Sequence, residues 1–201
     1  MKTKFARIYL VRHGNVVNKK KIIYGYLPVP LSPTGKREAK RAGLFLKKQN
    51  IAAIFSSPQK RTQQTARIIN QVISKGRLKI TTDKKLRETG YGRLMQGLTE
   101  EEVAKKHPKE RWLYFRQPAK LKKGETLAKM AERMLNVIQK GIKKYPGQNL
   151  VFVSHRDPIL AVLLKTSKRS FNDLHKVKHF CSTGSVLEVD FIGRRLVNKN
   201  F

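Results

Sequence analysis

Three short segments carry residue types that could act together on one chemical group: Arg12-His13-Gly14, Ser56-Ser57-Pro58 with Arg61 one helical turn later, and Ser154-His155-Arg156. The group they suit is a phosphoryl group. A guanidinium grips phosphate oxygens in a planar, bidentate way and keeps its proton, and a neutral imidazole can attack phosphorus to form a phosphohistidine. Arginines beside such a histidine have two effects. They offset charge on the equatorial oxygens in the transition state, and their field disfavours imidazolium, which leaves a nucleophilic nitrogen free. The leaving alkoxide then needs a proton, which a nearby carboxylic acid can supply.

The elements around these segments explain how they would meet. Arg7 to Val11 is a short β-rich run ending at Arg12, and Ala52 to Phe55 is a second run ending at Ser56. Asn149 to Val153 is a third, continuous and apolar, ending at Ser154. Helices are expected between them. Ser32 with Pro33 starts one with Ala39, Ala42 and Leu46 on its inner face. Ala66, Ile69 and Ile73 mark a second, and Thr99 with Glu102 forms a capping box for a short one. Leu127, Ala131, Met134, Ile138 and Ile142 mark a longer helix, and Pro158 to Leu164 another. A short strand is expected near Lys79 to Thr81, and a final hairpin pairs Val186 to Phe191 with Arg194 to Asn198. Strands separated by helices predict an α/β three-layer sandwich with a mostly parallel sheet and an antiparallel edge. Ligands bind beyond the carboxyl ends of strands in such sheets, where all three segments fall.

Composition narrows the class. With 201 residues, 39% of them hydrophobic, the chain can bury a sizeable core, and its apolar stretches are far shorter than the ~20 residues of a membrane span. No signal-peptide pattern is evident and Cys181 has no cysteine partner, so a cytoplasmic setting is expected. The charge is the unusual number: 45 Lys+Arg against 13 Asp+Glu gives +32. Such a field attracts polyanions, and nucleic acid is a candidate partner. The basic residues are spread along the chain rather than gathered in a tail, which reads as solvated surface and makes nucleic-acid binding secondary.

Five blocks in order along nearly the whole chain resemble the histidine phosphatase superfamily, the phosphoglycerate-mutase-like family of two-histidine phosphatases. They are Arg12-His13-Gly14, SSPQKRTQQTA (Ser56 to Ala66), LRETGYGRLMQGLT (Leu86 to Thr99), GETLAKMAERM (Gly124 to Met134) and VSHRDPI (Val153 to Ile159). The resemblance implies one histidine phosphatase domain over residues 1–201, and because arginine and histidine supply the positive charge, no cofactor and no metal are expected. It also implies that His13 is the phosphorylated nucleophile, that Arg12, Arg61 and His155 complete the phosphate pocket, and that Glu88 is the proton donor. Asn18 matches a position that often touches the phosphate, or else reads as a plain turn residue. Thr183 and Gly184, before the last strands, read either as phosphate contacts or as plain turn residues.

Singly, each residue has a plainer reading: a satisfied structural histidine, a solvated arginine, a surface acid. Their joint placement favours the site. The chain departs from the family at Asn15, Gln96 and Arg156, and Arg156 reads either as a contact to a second anionic group of the substrate or as a solvent-facing side chain. His175 and His179, spaced i, i+4, lack a third metal ligand and read as surface residues. Gly35-Lys36 lacks the flanking residues of a nucleotide-binding loop. Trp112, Tyr114 and Phe115 are expected to pack in the core, with a lid over the substrate as the other reading.

In the family that the chain resembles, glycolytic mutases usually carry a longer, site-closing insertion where this chain has Gly97 to Gly124, so the resemblance implies a more open site, which favours transfer of the phosphoryl group to water over transfer to a second hydroxyl. The expected activity is therefore phosphomonoester hydrolysis on a small anionic metabolite, with a phosphomutase as one alternative and a polyanion-binding protein on an inactive scaffold as another. Lys19 to Lys21, Lys120, Lys122 and Lys123 suggest a substrate with more than one negative charge. Oligomeric state is not legible.

Overall fold

The computed structural model describes residues 7–89, 92–122, 124–192 and 195–197. Strand β1 (Arg7–Arg12) runs through a long loop into helix α1 (Pro33–Leu46), and strand β2 (Ile51–Ser56) leads into α2 (Lys60–Ser74). After β3 (Ile80–Thr82) come three short helices, α3 (Gly92–Met95), α4 (Glu100–Lys106) and α5 (Pro108–Arg116). Then follow α6 (Leu127–Lys144), β4 (Asn149–Ser154), α7 (Arg156–Thr166), β5 (Val186–Ile192) and β6 (Arg195–Val197). Local signals account for most starts. Ser32 accepts the Gly35 N–H ahead of Pro33, and Thr99 and Glu102 form the expected capping box.

The strands form one six-stranded sheet in the order β3-β2-β4-β1-β5-β6. The first four are parallel, and β5 pairs antiparallel with both β1 and β6. Strand alternation sends side chains to two apolar clusters. Ile8, Leu10, Leu150 and Phe152 face α6 and α7, whereas Tyr9, Val11, Val151 and Val153 face α1 and α2. This is the expected three-layer sandwich. The final hairpin also forms, with Asp190 opposite Val197 and Phe191 opposite Leu196, although Gly193, Arg194 and Asn198 lie outside the described residues.

Helix α7 is buried from Asp157 to Leu164, because the sheet covers one side and Leu174, Val177 and Cys181 cover the other. Each such apolar side chain contributes roughly 1.5–3 kcal/mol. The helix starts two residues before the expected Pro158, which is tolerated in the first turn because its position needs no N–H donor. None of the helices among the described residues is long and apolar enough to cross a membrane.

Candidate active site

The register of the parallel strands brings the three segments together. Arg12 lies opposite Ser154, and Ser56 lies opposite Val153, so β2, β4 and β1 end side by side. The backbone continues the pairing one step further: the His13 N–H donates to the Ser154 carbonyl and the Ser57 N–H to the Val153 carbonyl. His13 and His155 thus leave adjacent strand ends, with ring centroids 5.2 Å apart and both rings buried.

The tautomer of His13 follows from its partner. Its Nδ1 is 2.8 Å from the Gly14 carbonyl oxygen, which can only accept, so Nδ1 carries the hydrogen and Nε2 keeps its lone pair. Burial, followed by the charge of Arg61, holds His13 well below the usual imidazole range. His155 is lowered by the same two causes, and the Ser57 hydroxyl and Gln59 carboxamide hold its Nε2 edge. Its Nδ1 faces Glu88, whose Oε2 is 3.9 Å away.

Both arginines are fixed by main-chain oxygens. Arg12 donates from Nη1 to the Cys181 carbonyl, and Arg61 donates to the carbonyls of Gly25 and Leu27 while its guanidinium lies over the Tyr24 ring. The Nε of each is buried without a hydrogen-bond partner, as is His155 Nδ1. Three such buried polar atoms around one histidine pair can bond an acceptor-rich group.

Glu88 is held at the margin of this centre. Ser154 donates to the Leu86 carbonyl, and Arg133 of α6, paired with Glu125, donates to the Glu88 carbonyl, so β4 and α6 both brace the loop. Burial, and then the neighbouring Asp157, push the Glu88 carboxyl above its usual range. A cavity of about 330 Å³ opens here, lined by Arg12, Glu88, Tyr24, Met95, Tyr114 and Arg156 among others. Two of its lining residues lie against the histidines, Tyr24 beside His13 and Glu88 beside His155.

Backbone contact sets the entry loop. A Cβ on Gly14 would lie 2.3 Å from the Gly35 carbonyl oxygen, so the turn after β1 packs main chain to main chain on the start of α1. Thr65 of α2 accepts the Gly14 N–H, and Glu38 of α1 accepts the Asn15 N–H.

Hydrogen bonds choose between several open readings. Gly184 donates its N–H to the His13 carbonyl and the Thr183 hydroxyl donates to Glu38, which is the turn reading for both. The Asn18 carboxamide closes the loop onto the Ile22 N–H and carbonyl, which is its turn role. Asn15 accepts from Ser32 and Gln96 accepts the Tyr26 N–H, so both departures brace loops. No described lysine lines the cavity; its cations are Arg12, Arg111 and Arg156.

Core packing is not the fate of the aromatic cluster as a whole. Trp112 is 53% and Phe115 39% exposed, because α5 lies over the cavity and not against the sheet. Only Tyr114 turns inward. Its hydroxyl donates to Asp157 and accepts from Arg156, whose Nε also bonds Asp157. Arg156 is therefore a cavity residue, held by a carboxylate. His175 is half-buried, its Nε2 bonded to the Tyr114 carbonyl, and not a free surface residue. His179 is exposed, and among the described residues no cluster could hold a metal ion.

Sequence reading missed the Tyr114-Asp157-Arg156 network, Gln59 and Arg133. The first joins residues some forty positions apart, a pairing that spacing does not encode. Replacing Tyr114 by Phe is expected to cost about 1–3 kcal/mol by leaving Asp157 and Arg156 short of a partner. Urea unfolding of the two proteins measures it.

The buried histidines also predict acid sensitivity. A group whose folded pKa lies below its unfolded one binds fewer protons when folded, so stability is complete above about 6.5 and falls as pH drops below it. The urea midpoint should decline from there toward acid, and His155→Asn should flatten part of the decline.

A mostly parallel α/β/α sheet with a paired-histidine, paired-arginine centre at its strand ends defines a class of proteins, and relatives place the chain within it. The chain belongs to the histidine phosphatase superfamily (branch 1), whose family model matches residues 8–201. Phosphoglycerate mutase-like protein 4 of Arabidopsis thaliana is 32% identical over 86% of this chain and 76% of its own length. Phosphoserine phosphatase 1 of Hydrogenobacter thermophilus is 30% identical over 78% of this chain and 74% of its own. Among solved structures, YhfR of Bacillus stearothermophilus superposes with a TM-score of 0.87 over 96% of this chain and 95% of its own, at 24% identity, a likeness of fold. The relatives include phosphatases and phosphoglycerate mutases, and an enzyme of one of these kinds is the supported reading.

Proposed function

We propose that the protein hydrolyses phosphomonoesters through a phosphohistidine on His13. The observation that carries the proposal is the His13 tautomer: Nδ1 is tied to a carbonyl, and Nε2 is left with a lone pair in a pocket of guanidinium groups. Arg12 and Arg61 would hold the non-bridging oxygens, in part through the two open Nε atoms. An entering phosphate dianion gives His155 the counter-charge that burial denies it, returning it toward imidazolium as a further donor. Nε2 forms a bond to phosphorus as the ester P–O bond breaks, and Glu88, whose carboxyl burial pushes above its usual range, gives its proton to the leaving oxygen. Water then attacks the phosphohistidine, returning its proton to Glu88 and releasing phosphate.

The Arg61 donors are now taken by the carbonyls of Gly25 and Leu27, and Tyr24 lies against Arg61 and His13, so phosphate entry has this loop yield. The substrate is a small phosphorylated metabolite whose leaving group occupies the cavity beneath α4 and α5. Arg156 would meet a second anionic group of that substrate with its Nη1, which has no protein partner among the described residues. Guanidinium and imidazole groups supply the positive charge, so turnover of a chromogenic phosphomonoester should persist in chelator. Full dependence on added divalent metal would overturn the mechanism. Interconversion of phosphoglycerates faster than release of phosphate would make the protein a mutase instead.

A further inference from the structure

The bases are spread evenly along the chain, but the acids are not. Glu38 is the only acidic residue before Asp83, so the segment that builds α1, β2 and α2 has almost no carboxylate. Glu38 itself is turned inward, bonded to the Asn15 N–H and the Thr183 hydroxyl. From Pro33 to Lys79 every Lys and Arg except the catalytic-pocket Arg61 is exposed, and among the described residues none of them forms an ion pair. The opposite layer differs in kind. There Arg133 pairs with Glu125, Lys165 with Glu132, and Lys176 with Asp173.

Unpaired lysines also lie on α6, but the fold sets those of α1 and α2 together in one layer with almost no carboxylate. Helices α1 and α2 pack on the same face of the sheet and touch closely where Gly43 meets Val72. Their inner residues, Ala42, Leu46, Ala66 and Ile69, are buried, which forces the polar stripes outward. On α1 and the turn after it, Arg37, Lys40, Arg41 and Lys48 follow helical spacing along one stripe, and Arg67, Arg77 and Lys79 continue the charge over α2 toward the β3 edge. A layer of unpaired cations so poor in carboxylates, with neighbours within a Debye length, has a linear polyanion as its complement.

We propose that the α1/α2 layer is a docking surface for the sugar-phosphate backbone of a nucleic acid, set on a different face from the strand-end pocket. A bilayer fits less well. Only Leu44 and Phe45 offer apolar surface within the patch, and Phe45 is partly engaged with the Tyr9 ring, so little is left to insert. Recognition by unpaired Lys and Arg of phosphate oxygens is independent of base sequence.

The test compares two full-length variants with equal charge loss: Arg37, Lys40, Arg41 and Lys48 to Gln on the α1 side, and Lys129, Lys140, Lys143 and Lys144 to Gln on α6. Binding of labelled duplex DNA and single-stranded RNA is followed by fluorescence anisotropy between about 50 and 200 mM salt, with thermal unfolding as the check on folding. The α1 variant should bind at least about tenfold more weakly, and its salt slope on duplex should flatten by roughly 0.9 for each phosphate it no longer neutralises. The α6 variant should bind nearly as the parent does. Equal weakening in both variants would assign binding to net charge and overturn the proposal. Stronger retention by phosphatidylserine vesicles than by either nucleic acid at the same salt would also overturn it.

Discussion

Replacing His13 by Ala is expected to lower turnover of any phosphomonoester by on the order of 10⁴-fold or more, leaving the fold intact. The size of the effect follows from the position of the side chain. His13 sits at the end of β1, and its backbone is fixed independently of the ring, by its own N–H to Ser154 and by the Gly184 N–H to its carbonyl. Removing the ring therefore removes the nucleophile without releasing the strand end. His155 cannot take over, because its Nε2 edge is held by Ser57 and Gln59 and its ring leaves a different strand. Steady-state release of phosphate by the two proteins measures the effect. A variant within tenfold of the parent would show that the ring at 13 does not form the covalent bond.

Replacing Glu88 by Gln is expected to separate substrates by their leaving groups. An alkyl alcohol leaves as a poor alkoxide and should slow by roughly 10² to 10⁴-fold, whereas nitrophenolate, which needs little protonation, should slow far less. The pH dependence has a definite sign. Burial and Asp157 raise the Glu88 pKa, so the acid stays protonated to higher pH than an exposed glutamate. Turnover of alkyl esters should fall as pH rises through that raised pKa, and Gln at 88 should remove this limb. Equal slowing on both substrates would remove Glu88 as the acid. Asp157 enters the same prediction: Asp157→Asn removes one source of the raised pKa and should move the limb toward lower pH.

Much of the fold was legible because its signals are local. Ser32-Pro33, the Thr99 and Glu102 capping box and the apolar spacing of α6 each fix an element without reference to the rest of the chain. The convergence of His13, Arg61 and His155 was legible for a related reason. Parallel strands end on one side, so residues directly after β1, β2 and β4 meet whatever the intervening helices do.

Long-range side-chain pairing was not legible. Helix α5 has no apolar stripe to read, since Trp112 and Phe115 face outward and only Tyr114 is tied inward, through a hydroxyl bond to a residue on α7. Between the two readings of Thr183 and Gly184 the sequence could not choose, because it places the turn near His13 without saying which acceptors take the Gly184 N–H and the Thr183 hydroxyl. The basic stretches were visible as counts. That those of α1 and α2 share one layer poor in carboxylates depends on which helices share a face of the sheet.

The most direct measurement is to quench the full-length protein during turnover of nitrophenyl phosphate and map the phosphoryl group by mass spectrometry under alkaline conditions that preserve phosphohistidine. The account predicts one phosphoryl group per chain on the peptide containing His13, chased by unlabelled substrate and absent from the His13→Ala protein. Turnover with the phosphoryl group on another residue, or with none at His13 under conditions where the intermediate should accumulate, would contradict it.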